Sequence, residues 1–122
     1  MLDTGESVNR ANGGMHYADA VYRKHAPAAN YMRYIVKLIN QNLFDGDTVL
    51  ICYPIKNKIR VNYKGQYFLL LSTGWVESFR KMKASALERY MIQQLKQKKI
   101  RFDRSSVYYR TWILEENVQV VR

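Results

Sequence analysis

The sequence has a single cysteine, Cys52, so no disulfide forms within the chain. An isolated cysteine is typical of reducing compartments, where disulfides are rare. The chain also has no run of about eighteen apolar residues, so no transmembrane helix is expected. Residues 1–14 are polar and include Asp3 and Glu6, unlike the basic start and apolar centre of a signal peptide. These absences predict a cytoplasmic protein that does not bind membranes.

Acidic residues are few, with ten Asp and Glu against twenty Lys and Arg, and the net charge is +10. Apolar residues make up 48% and charged residues 25% of the 122 positions. This composition is that of a folded domain and excludes a disordered tail, a collagen-like fibre and a coiled-coil rod. The length corresponds to one domain. A strongly basic small domain is typical of proteins that bind a polyanion, above all nucleic acid.

Residues that support metal-dependent or nucleophilic chemistry are scarce. The two histidines, His16 and His25, are too few to form a metal site with Cys52, and no carboxylate is spaced to orient either one. Asp45 and Asp47 flank a glycine, which is typical of a turn. No glycine-rich phosphate loop, nucleophile elbow, helix-turn-helix, zinc finger or RNA-recognition motif is present. We therefore expect no metal, no cofactor and no enzymatic activity, although a metal-independent ribonuclease remains an alternative.

The distribution of glycine and apolar residues predicts the domain organisation. Residues 1–15 contain three glycines and no periodicity, which is typical of a mobile N-terminal arm. Residues 16–122 are predicted to form a single basic α+β domain. Its sheet is largely antiparallel and packs with two main helices.

Apolar periodicity predicts the individual elements of this domain. Ser85 and Glu88 have the spacing of a capping box, which begins a helix. Residues 75–84 fit a helix or a strand. In chain order, the predicted elements are a short helix over 17–25, a helix over 28–43, a central strand over 48–53, a hairpin over 58–72 that turns at Gly65, a helix over about 86–98, and strands over 107–114 and 118–121.

Positive charge concentrates in residues 80–104, which hold nine basic and two acidic side chains. On a helix, Arg89, Lys96 and Lys99 would share a face, and Lys98 and Arg101 would begin a second basic row. Lysines at a helix C-terminus also stabilise the helix dipole, so a solvated helix end is an alternative for part of this run. The excess of basic over acidic side chains in this segment favours contacts with a phosphate backbone. The predicted contact residues are Arg80, Lys81, Lys83, Arg89, Lys96, Lys98, Lys99, Arg101 and Arg104.

Five residues outside this segment are predicted to extend the surface. Lys58 and Arg60 lie on one face of the predicted hairpin, and Tyr108, Arg110 and Trp112 lie on one face of the strand predicted over 107–114. Aromatic rings stack on unpaired bases, which favours RNA or single-stranded DNA over duplex DNA. The alternative is that the two aromatic side chains belong to the core.

The sequence therefore predicts a nucleic-acid-binding module without enzymatic activity. One alternative is an inhibitor or accessory factor that binds a nucleic-acid enzyme or a nucleoprotein complex. Phages and mobile elements encode small domains of this kind, such as anti-CRISPR proteins. Another alternative is a ribonuclease of the toxin type. The oligomeric state is not predicted.

Overall fold

The computed structural model describes residues 21–110, which form an α+β fold with a three-stranded antiparallel sheet and several helices. The predicted arm over 1–15 and strand over 118–121 lie outside the described residues, as do both ends of the domain predicted over 16–122. Residues 21–24 and 107–110 are helical. Between them the elements are α1 (Ala28–Leu43), β1 (Leu50–Ile55), β2 (Lys58–Tyr63), β3 (Gln66–Ser72), α2 (Thr73–Ser78), a 3-10 turn (Phe79–Lys81) and α3 (Ala86–Gln97).

Helix α1 has the bounds that apolar periodicity predicts. Its buried face carries Tyr31, Ile35 and Ile39 at helical spacing, so one stripe faces the core. Gly46, with φ of 86°, lies in the turn that follows the helix. The helix packs mainly against β1 and also contacts α2 and α3.

The predicted hairpin over 58–72 is confirmed. β2 and β3 pair antiparallel, and Lys64 and Gly65 between them have φ of 50° and 83°. Two consecutive positive φ values are the geometry of a tight turn whose twist matches that of the strands. The hairpin therefore forms where glycine permits the turn.

The prediction that β1 is a central strand is wrong, because the strand order is β1-β2-β3 and β2 lies in the middle. Ile51, Tyr53 and Ile55 are exposed, while Leu50 and Cys52 are buried. Pro54 has no N–H to donate to a second neighbour, which suits an edge strand. Among residues 21–110, this continuous apolar run forms an edge strand with one face that no described element covers.

Of the ambiguous residues 75–84, 75–81 are helical and 82–84 are neither helix nor strand. The Ser72 hydroxyl accepts a hydrogen bond from the Trp75 N–H at 3.0 Å and so caps α2. The capping box predicted at Ser85 and Glu88 is wrong, since Ser85 makes no side-chain capping hydrogen bond. The Glu88 carboxylate is buried and pairs instead with Arg23.

The strand predicted over 107–114 is also wrong in its described part. The Arg110 N–H donates to the Ser106 carbonyl at 3.0 Å, a helical contact, and the Ser106 hydroxyl accepts from the Tyr109 N–H at 3.1 Å. Tyr108 and Tyr109 are both buried. Consecutive strand residues face opposite sides, whereas a helical turn buries both rings in one core. Residues 111–114 lie outside the described residues.

Candidate nucleic-acid interface

The end of α3 determines where the basic side chains of the segment 80–104 point. The Ile100 N–H donates to the Leu95 carbonyl and the Lys99 N–H donates to the Lys96 carbonyl, each at 3.0 Å. This pair of bonds is a Schellman motif, which requires a left-handed residue after the helix. Lys99 takes that position with φ of 59°, where glycine is usual. The chain therefore turns sharply at Lys99.

The turn produces an open groove of about 710 Å³ between the ends of α1 and α3. Four of its lining residues are basic and exposed, and none of the four pairs with a carboxylate among the described residues. Leu43, Phe44 and Ile100 provide apolar wall. Converging cations beside apolar surface suit a phosphate chain with attached bases. The basic residues are Lys96, Lys99, Arg101 and Arg104.

Two of these cations lie over aromatic rings, which restricts their positions. The Arg104 guanidinium carbon is 4.9 Å from the centre of the Phe102 ring. The Lys96 ammonium is 5.7 Å from the centre of the Tyr109 ring. Cation–π contacts of this kind are weak at exposed sites, so both cations stay available to an anion.

Asp103 is the one carboxylate in the loop that follows α3. Its Oδ1 accepts hydrogen bonds from the Ser105 hydroxyl at 2.6 Å and the Ser105 N–H at 2.9 Å. These bonds hold the pKa of Asp103 below its usual value, so the side chain is ionised at neutral pH. Its N–H donates to the Leu43 carbonyl at 2.9 Å, which ties the loop to α1.

A second groove, of about 530 Å³, lies on the other side of Lys96. Arg89 and Lys96 line it together with Phe79, Met82 and Tyr90. Lys96 therefore borders both grooves, and Arg89 and Lys99 lie one to each side. The prediction that Arg89, Lys96 and Lys99 share one helix face is wrong for Lys99, because α3 ends at Gln97.

The prediction that Lys98 and Arg101 begin one basic row is also wrong. Lys98 extends to the sheet, where its ammonium donates to the Phe68 carbonyl and lies 5.6 Å from the Tyr67 ring centre. Arg101 lines the larger groove. The left-handed residue between them reverses the chain, so the two cations face different surfaces.

Several predicted site residues lie elsewhere. Arg80 belongs to the fold: its guanidinium donates to the Ala26 carbonyl, lies 2.9 Å from Glu77 and covers the Tyr31 ring. Tyr108 is buried at 6% exposure and so offers no stacking surface. Trp112 lies outside the described residues. Four other predicted site residues are exposed but line neither groove, namely Lys58, Lys81, Lys83 and Arg110.

The sequence did not identify the aromatic members of the candidate interface. Phe44 and Phe102 line the larger groove, and Tyr53 and Tyr67 are exposed on the sheet. Phe102 lies between Arg101 and Arg104, and this alternation of ring and cation was the available signal. The alternation of residues in the hairpin predicted Arg60 as a contact residue but did not predict Tyr67. The contact between Arg60 and Tyr67 depends on the register of β2 and β3, which the alternation does not determine.

Within residues 21–110, the cysteine, histidine and aspartate residues singled out in the sequence have separate environments. Burial raises the pKa of Cys52 to about 11, so the thiol is protonated at neutral pH and unreactive. Asp45, Asp47 and His25 are exposed. Among residues 21–110, no group of three His, Cys, Asp or Glu side chains is arranged to hold a metal ion. His16 lies outside the described residues.

No family model, curated protein or solved structure matches this chain. Across the part of the chain that the structure describes, none of the helices has the length and apolar character needed to cross a membrane.

Proposed function

We propose that this protein is a nucleic-acid-binding module that holds the phosphate backbone in the groove at the end of α3. The observation that supports the proposal is the convergence of Lys96, Lys99, Arg101 and Arg104 on one open groove. Each cation that neutralises a phosphate releases a counterion, which gives affinity without sequence preference. The groove beside Arg89 extends the path of the backbone. We place this activity in the cytoplasm, in line with the single cysteine.

The test compares two variants with the same change in net charge. Lys96→Glu, Arg101→Glu and Arg104→Glu are combined in the groove variant. Lys24→Glu, Arg33→Glu and Lys37→Glu are combined in the control, because these exposed cations line neither groove. Affinities for labelled single-stranded RNA, single-stranded DNA and duplex DNA are measured by fluorescence anisotropy over a salt series, after circular dichroism has confirmed folding.

The groove variant is expected to bind RNA about ten-fold or more weakly and to have a shallower log–log salt slope, by about 2 for three lost phosphate contacts on a single strand. The control should lose much less affinity. Equal losses of affinity in both variants would mean that net charge alone explains the effect, and would overturn the assignment of the groove as the binding site. Absence of binding to all three probes would overturn the proposal itself.

The same preparation separates the alternative functions. An accessory or inhibitory protein would bind a protein partner tightly at high salt and bind bare nucleic acid poorly. A ribonuclease would cleave the RNA probe during the measurement, which a gel detects. We propose binding without cleavage, because the described histidine, His25, lines neither groove.

A further inference from the structure

The outer face of the sheet is a second surface with chemistry suited to nucleic acid. Cross-strand register places Ile51, Asn62 and Tyr67 in one row and Tyr53, Arg60 and Leu70 in the next. Ile55, Lys58 and Ser72 form the third row. The opposite face packs against α1. Tyr67 is 59%, Ile51 46%, Leu70 41% and Tyr53 39% exposed, so described elements leave this face open.

The Tyr67 ring is in contact with two cations that come from different elements. The Arg60 guanidinium carbon is 5.3 Å from the centre of the Tyr67 ring, and the Lys98 ammonium is 5.6 Å from it. Arg60 comes from β2 and Lys98 from the end of α3. Tyr67 is 59% exposed, so its ring keeps free surface that can stack on a base while the neighbouring cations contact the flanking phosphates.

Hydrogen bonds hold part of this surface in place. The Arg60 Nε donates to the Asn62 Oδ1 at 2.9 Å, and the Asn62 side-chain amide donates to the Tyr53 hydroxyl. Asn62 is 9% exposed, and both hydrogen bonds are partly buried. Arg60 and Tyr53 therefore have less side-chain freedom to lose on binding.

The charge of the sheet identifies the class of partner. Residues 48–76 contain no Asp or Glu, and they contain Lys56, Lys58, Arg60 and Lys64. A polyanion therefore meets no carboxylate on the strands themselves. The sheet surface and the proposed groove are linked through the end of α3, because Lys98 contacts Tyr67 and the next residue, Lys99, lines the groove.

We infer that the outer face of the sheet stacks unpaired bases of a single-stranded nucleic acid, with Tyr67 as the main stacking residue. This inference rests on the proposed function, and it specifies the class of ligand. A duplex buries the faces of its bases, so it can use the groove but not this surface. A single strand can place its backbone in the groove and its bases on the sheet.

The test uses Tyr67→Ala, with Tyr67→Phe to retain the ring and Tyr22→Ala as a control. Tyr22 is 37% exposed and stacks on Tyr34 of α1, and neither residue belongs to a strand. The probes are a short labelled oligouridine, an abasic sugar-phosphate oligomer of the same length, and a duplex. The abasic oligomer carries the same phosphates without bases, so it isolates the contribution of stacking.

Tyr67→Ala is expected to weaken oligouridine binding by about 5- to 150-fold, the range for loss of one stacked base. Its affinity for the abasic oligomer and the duplex should stay within about two-fold of wild type, since those probes do not stack. Tyr67→Phe and Tyr22→Ala should bind oligouridine as the wild type does. Tyr67→Ala folding is verified by circular dichroism.

The outcomes separate this inference from the proposed function. If Tyr67→Ala binds oligouridine like wild type while the groove variant is impaired, the inference is overturned and the groove proposal stands. An equal loss on the abasic oligomer also overturns it, because a structural or electrostatic effect would then explain the change. If wild type binds none of the probes, both proposals fail, and the apolar outer face is then to be tested for a protein partner.

Discussion

Asn40 and Leu50 exchange two hydrogen bonds that join α1 to the edge of the sheet. The Asn40 Nδ2 donates to the Leu50 carbonyl at 2.9 Å, and the Leu50 N–H donates to the Asn40 Oδ1 at 3.0 Å. Asn40 is 7% exposed and Leu50 is 1% exposed. The side-chain amide therefore satisfies the backbone polar groups of a buried strand residue, as a neighbouring strand would.

Asn40→Ala should destabilise the fold, because it leaves a buried N–H and a buried carbonyl without these partners. Each such group costs about 1–3 kcal/mol, so a loss of about 2–4 kcal/mol in the free energy of unfolding is expected. Asn42→Ala is the matched control, since its amide donates to the Leu38 carbonyl within α1 and so joins no second element among the described residues. Urea denaturation measures both, and equal losses would contradict the role assigned to Asn40.

A buried ion pair gives the second prediction. Arg23 Nη1 donates to Glu88 Oε1 at 3.0 Å, and the side chains are 8% and 0% exposed. Glu88→Gln removes the negative charge from a buried ion pair, which typically costs about 3–5 kcal/mol. Glu77→Gln is the control, because Glu77 pairs with Arg80 while 48% exposed and should cost at most about 1 kcal/mol. Similar losses in urea melts would contradict the prediction.

The comparison of sequence with structure separates local signals from long-range ones. Helix α1 and the hairpin follow from apolar periodicity and from Gly65, because both depend on residues near in sequence. Arg23 and Glu88 are 65 residues apart in the sequence. Glu88 takes part in this buried ion pair instead of the predicted capping box. The apolar run of β1 cannot reveal which of its two faces is covered, since that depends on the topology of the sheet.

The candidate site was predictable in its charge but not in its geometry. The nine cations of the segment 80–104 were evident from composition, and four of them do line the larger groove. The left-handed conformation at Lys99 has no local signature, because glycine is the residue expected there. That one backbone angle sends Lys98 to the sheet and Arg101 to the groove.

The buried Cys52 thiol predicts a loss of stability at alkaline pH. Burial raises its pKa from 9.0 to about 11 in the folded protein. Above pH 9 the unfolded chain releases this proton and the folded chain retains it, so the unfolded state gains stability as pH rises. The contribution of Cys52 is complete below pH 9 and is lost between pH 9 and about 11, which amounts to roughly 2–3 kcal/mol.

Cys52→Ala isolates this contribution from the tyrosines and lysines that titrate in the same range. The variant should be less stable than wild type at pH 8, because it loses buried volume, and its stability should decline less steeply between pH 9 and 11. Urea melts across this range measure the difference. Parallel pH profiles for the two proteins would contradict the assignment, and so would rapid reaction of the native thiol with a disulfide reagent at pH 8.

A substitution at Lys99 is expected to change the stability of the fold and the affinity for nucleic acid in opposite directions. A left-handed lysine at φ of 59° is strained by about 1 kcal/mol relative to glycine. Lys99→Gly should therefore raise the free energy of unfolding by about 0.5–1 kcal/mol, and it removes one cation from the groove. The expected affinity for single-stranded RNA falls several-fold, with a salt slope shallower by about 0.7.

Lys81→Gly serves as the control for the loss of charge, because Lys81 is exposed and lines neither groove. It removes the same charge from a 3-10 turn without relieving strain, so it should lower stability and leave the salt slope unchanged. A more stable Lys99→Gly that binds RNA as tightly as wild type would mean that the lysine has no role in binding. A variant that gains stability while losing affinity identifies Lys99 as a residue whose strain is retained for the sake of its charge.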